Sequence, residues 1–154
     1  MRILQGFAPH VSVLCLLTGC AGVDATGGRP ALSDDEPVPS AEVSRLQAWQ
    51  DAEALAALDA DRLTVIGSGA SMRPVYGENT VLVLQKVDYE ELAAGMTVAY
   101  RNEAGRVVVH TLLNRESNGW RIAGLNNSHV DRGRVTRHNL IGTVYASFAH
   151  DDVR

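Results

Sequence analysis

The stretch 96–113, MTVAYRNEAGRVVVHTLL, decides the fold class. Its two halves, 96–101 and 106–113, are rich in β-branched and aromatic residues, and Asn102-Glu103-Ala104-Gly105 lies between them. Two strand-like runs joined by turn residues form a β-hairpin. Outward from it, 63–66, 80–86 (TVLVLQK), 119–123 (GWRIA) and 140–148 (LIGTVYASF) have the same texture, and Ser117-Asn118-Gly119 makes a second turn. These runs predict a mainly β, partly closed antiparallel domain of about five to seven strands over 61–150.

One helix is expected before the strands. Over 40–60, Val43, Leu46, Trp49, Leu55 and Leu58 recur at helical spacing among good helix formers, with Ser40 placed as N-cap after Pro39. This predicts an amphipathic helix, packed on the domain or lying near a membrane surface. Residues 20–39 are rich in Gly, Pro, Asp and small side chains, too polar to bury a core, and are expected to form a flexible tether.

The first residues, MRILQGFAPHVSVLCLLTGC, combine Arg2 with a short, interrupted apolar run. The run suits a secretory leader better than a membrane span. Leu17-Thr18-Gly19-Cys20 resembles a bacterial lipobox. That implies a signal peptide over 1–19 and a diacylated Cys20 at the new N-terminus. The expected location is the cell envelope at the periplasmic face, with outer-membrane delivery permitted by Ala21. A plain signal peptide with an incidental cysteine is the alternative.

Composition narrows the function. The 154-residue chain carries a formal charge of −4, made one unit more negative by loss of Arg2 with the leader. A nucleic-acid partner needs a basic face, so none is expected. Both cysteines, Cys15 and Cys20, precede the domain, which leaves it no disulfide, thiolate nucleophile or Cys-ligated metal. No cofactor is expected.

The segment Gly67-Ser68-Gly69-Ala70-Ser71-Met72-Arg73-Pro74 lies between two strand-like runs. Its glycines allow an unusual backbone path that exposes Ser71 and turns its N–H toward a developing oxyanion. On composition alone, a structural turn is the commoner meaning. The order of motifs changes that weighting. Ser71-Met72-x-Pro74, the strand VLVL, Tyr89-x-x-Leu92-x-x-Gly95, then Val107-Val108-Val109-His110 follow one another. Gly124-x-Asn126-Asn127 with Asp131, and finally Leu140-Ile141-Gly142-x-Val144, complete the series. The series resembles the signal peptidase family and its self-cleaving repressor relatives, from about Gly67 to Val144. His110 stands where the endoplasmic-reticulum and archaeal branch places a histidine base instead of a lysine.

The resemblance implies a Ser71 nucleophile, a His110 general base and Asp131 as the residue orienting it. The Ser71 N–H and Ser68 are the implied oxyanion-hole groups. Physical chemistry supports the pairing: a hydroxyl needs an adjacent base, and neutral imidazole can accept its proton near pH 7. The chain also departs from the family. Glu78-Asn79, Met96 and Leu125 stand where aspartates are usual, and Thr111 where arginine follows the histidine. With Leu125 there, Asp131 acts alone or the pair works as a Ser–His dyad. His129, His138 and Lys86 are rival bases, more simply read as loop and strand-end residues. Arg132, Arg134, Arg137 and His138 form a basic cluster, read as a solvated face.

The expected function is a membrane-tethered serine endopeptidase acting on extended peptide or protein segments. A catalytically inactive peptide-binding lipoprotein on the same fold is the alternative, and self-cleavage is a third possibility.

Overall fold

In the computed structural model, which describes residues 39–151, every strand-like run of the domain is a strand. The expected leader, Cys20 and residues 20–38 of the expected tether lie outside the described residues. Helix α1 (Arg45–Ala56) precedes β1 (Arg62–Ile66) and β2 (Thr80–Gln85). A 3-10 turn (Tyr89–Glu91) leads to β3 (Thr97–Arg101), β4 (Val107–Glu116), β5 (Gly119–Ala123) and β6 (Leu140–Ala149). The strands form one antiparallel six-stranded sheet in the order β1-β2-β6-β3-β4-β5. The last strand thus inserts between β2 and β3.

Strand β2 explains the uninterrupted apolar run of 81–84. Val81 and Val83 face α1, with Ala146 and Phe148 beside them, while Leu82 and Leu84 pack on the opposite face with Ala99 and Val109. A strand covered on both faces has no polar alternate positions. A second core, built on Val98, Tyr100, Leu112, Trp120, Ile122 and Val135, fills the β3–β4–β5 end.

The helix differs from its prediction in extent and in face. It begins at Arg45, capped by the Ser44 hydroxyl accepting the Gln47 N–H at 3.1 Å, so Ser40 is not the N-cap. Its buried stripe is Ala48, Ala52 and Ala56, whereas Val43, Leu46 and Leu58 are exposed. Trp49 and Leu55 pack at the margin of that contact. The physical reason is separation. Small residues at i, i+4 and i+8 let the helix settle directly on Val81 and Val83, and larger side chains there would hold it away.

Among the described residues the architecture is mainly β with a single helix before the strands, as expected, and the sheet stays open. Strand β1 pairs only with β2, and β5 joins β4 only from Thr111 onward. The outer edges of β1 and of 107–110 on β4 therefore carry no ladder partner among the described residues. They line a common groove instead of completing a barrel.

Candidate active site

The groove has a volume of about 430 Å³ and is walled by β1, the loop after it and the start of β4. Val65, Tyr76, Leu82 and Val109 give it an apolar lining, and Ser71 and His110 both open onto it. Apolar clefts with a few convergent polar groups are where ligands bind.

Ser71 lies in the turn that follows Gly69, whose φ of +81° is a conformation L side chains rarely adopt. The turn is closed by the Arg73 N–H donating to Ala70 O and the Tyr76 N–H to Met72 O, with Met72 buried beneath. The loop after β5 grips it from outside. The Asn126 N–H donates to the Ser71 carbonyl at 2.8 Å. Gly124 passes so close that a Cβ there would lie 2.5 Å from that same oxygen. Only glycine fits. The loop returns to the sheet where the Asp131 N–H donates to Ile122 O at 2.9 Å. A single loop therefore braces Ser71 at one end and delivers Asp131 at the other.

His110 sits on β4 opposite Val98 of β3 and is buried. Its Nδ1 is 2.5 Å from Asp131 Oδ2, and its Nε2 is 3.1 Å from Ser71 Oγ. A carboxylate can only accept, so Nδ1 carries the proton and donates to Asp131. Nε2 is then left to accept the Ser71 hydroxyl. Serine, histidine and aspartate thus form one hydrogen-bonded line, in which Asp131 is the carboxylate that faces the ring.

Tyr100 was not singled out by sequence reasoning. Its hydroxyl donates to the same Asp131 Oδ2, at 3.0 Å. It stands on β3 across from Val108, so it shares a face of the sheet with His110. A tyrosine in a β-rich strand carries no local signal for this role, because its partner is 31 residues away. Burial, then the charge and hydrogen bond of Asp131, push the Tyr100 phenol well above its ordinary value. It therefore stays a donor throughout the working range. Tyr100→Phe is expected to lower kcat/KM about tenfold by freeing one side of Asp131. Stability gives an independent check. A phenol that holds its proton more tightly when folded loses stabilising effect as pH rises past about 10. The variant should show a flatter fall in denaturant-measured stability above that pH.

The remaining candidates are not part of this hydrogen-bonded line. Ser68 is exposed on the groove wall and makes no described hydrogen bond to Ser71 or His110. Lys86 is exposed and pairs with Asp61 at 3.9 Å, away from the groove. His129 lines a separate polar cleft that reaches Asp131 and Tyr100, and His138 lines another beside Tyr89. The basic cluster is partly neutralised: Arg134 pairs with Glu116 at 3.0 Å and Arg137 with Glu90. Among the described residues no helix is long and apolar enough to cross a membrane.

Compared with family models and with curated proteins, the chain has no match.

Proposed function

We propose that this protein is a serine endopeptidase that cleaves extended peptide segments through an acyl-enzyme on Ser71. The observation that carries the proposal is the hydrogen-bonded line from Ser71 Oγ through His110 to Asp131 at the wall of a partly apolar groove. In the proposed reaction Ser71 Oγ attacks the scissile carbonyl while His110 Nε2 takes its proton. The Asp131 carboxylate holds the ring and stabilises the imidazolium. The new C–O bond forms as the carbonyl π pair moves to oxygen, where the Ser71 N–H, with Ser68 nearby, is the proposed donor set. Collapse expels the amine, which takes the proton from Nε2. Water then repeats the sequence in the second half and releases Ser71.

The unpaired edges of β1 and of 107–110 supply backbone donors and acceptors for a substrate added as a strand. The motif order from Gly67 to Val144 supports placing the chain in the Ser–His branch of the signal peptidase family. Leu17-Thr18-Gly19-Cys20 supports a lipid tether at the periplasmic face, each buried methylene of the chain contributing about 0.8 kcal/mol of membrane affinity.

A fluorophosphonate probe tests the assignment, since an activated serine attacks its phosphorus and displaces fluoride, leaving a stable phosphonyl ester. The wild type is expected to label, Ser71→Ala not at all, and His110→Ala far more slowly. An unlabelled wild type that still binds peptides would instead establish the alternative, a peptide-binding lipoprotein without hydrolysis.

A further inference from the structure

Among the described residues that line the groove, Arg106 is the one with a permanent charge. The rest of the wall near it is aliphatic: Val65, Val107, Val108 and Val109. Its position is set by the β3–β4 hairpin. The Arg106 N–H donates to Asn102 Oδ1 at 3.0 Å and its carbonyl accepts the Asn102 N–H at 2.9 Å. The guanidinium, by contrast, has no hydrogen bond or ion pair among the described residues. Nearby Arg101 donates to Gly105 O, and Arg115, Arg134 and Arg137 are all paired with glutamates. Glu103, the acid of the same hairpin, makes no ion pair with Arg106. An exposed cation is ordinarily well satisfied by water. This one, however, borders aliphatic side chains in a groove that a bound chain would cover.

Strand geometry sets what it would meet. Val108 and His110 project from one face of β4, and Arg106, bonded through its carbonyl to the Asn102 N–H, directly precedes the strand. The same alternation carried one residue back puts Arg106 on the His110 side, about 13 Å along from it at about 3.3 Å per residue. A peptide paired with the 107–110 edge advances at the same rate. Covering the groove also removes water from around the guanidinium, which strengthens its attraction for a carboxylate.

We propose that Arg106 forms a subsite for an acidic side chain, Asp or Glu, about four residues from the scissile bond. The inference rests on the groove receiving an extended peptide as proposed above, but not on hydrolysis.

The test is therefore made by binding, on the full Ser71→Ala protein. Short fluorescein-labelled peptides of alternating alanine and valine, carrying Asp, Asn or Lys at each position in turn, are titrated by fluorescence anisotropy. At one position Asp is expected to bind about fivefold tighter than Asn, and Lys correspondingly weaker, as for a partly exposed ion pair. Arg106→Glu should reverse the order, Arg106→Ala should level it, and rising salt should erase it. Affinities that ignore peptide charge, an order unchanged in Arg106→Glu, or no binding at all would overturn the subsite. If the preference is found while the wild-type protein cleaves none of these peptides, the subsite stands and hydrolysis falls.

Discussion

Ser71→Ala is expected to lower kcat/KM for peptide hydrolysis by about a thousandfold to a millionfold, and His110→Ala by a similar factor. The two should not add. In the proposed mechanism Ser71 Oγ gains nucleophilicity only by giving its proton to His110 Nε2, 3.1 Å away, so either change alone removes the same step. The double variant is therefore expected to match the single ones, with residual rate from groove binding and oxyanion donors. Neither substitution threatens the fold. Ser71 lies in a turn held by its backbone through Asn126, and His110 keeps its ladder bonds to β3 whatever its side chain. Single-turnover kinetics on any cleaved peptide would measure all three variants. Full activity in Ser71→Ala would end the serine mechanism, and strictly multiplicative losses would mean that the two side chains do not act together.

Asp131→Asn should be the next most damaging change, at about a thousandfold to ten-thousandfold. The wild-type carboxylate accepts from His110 Nδ1 at 2.5 Å and from Tyr100 at 3.0 Å on one oxygen. An amide satisfies both only if its oxygen takes that place. Turned the other way, its NH₂ donates to Nδ1 and drives the ring proton to Nε2, where it blocks the Ser71 hydroxyl. Even in the productive orientation, a neutral amide cannot stabilise the imidazolium. Backbone structure should persist, because the Asp131 N–H bond to Ile122 O does not involve the side chain. Kinetics together with ¹⁵N shifts of the His110 ring would follow rate and tautomer at once. Activity within a few-fold of wild type would identify a working Ser–His dyad, with Asp131 a structural neighbour.

Legibility in the sequence differed from residue to residue for physical reasons. Strand character was plain in 80–86 and 106–113 because β-branched side chains and turn residues act locally. That Ser71, His110 and Asp131 would meet was an expectation from the order of several weak motifs, not from any single one, and the three side chains do lie in one hydrogen-bonded line. Helical spacing marks the helix but not its buried face: hydropathy points to Leu46 and Leu58, whereas the sheet selects Ala48, Ala52 and Ala56 for close approach. Tyr100 gave no signal, since a strand tyrosine is commonly a core residue and becomes a partner only when another segment arrives.

What the amino-acid order determined by itself is the set of strands, the preceding helix, the glycine-bounded serine turn and the absence of a thiol from the domain. Those properties depend on neighbours a few positions apart. Tertiary structure decided the insertion of β6 between β2 and β3, the open edges that make a groove, and the meeting of groups 21, 31 and 39 positions apart at Asp131, Tyr100, His110 and Ser71. Hydrogen bonds of about 3 Å form only after distant segments have paired in one register, and no local preference specifies that pairing.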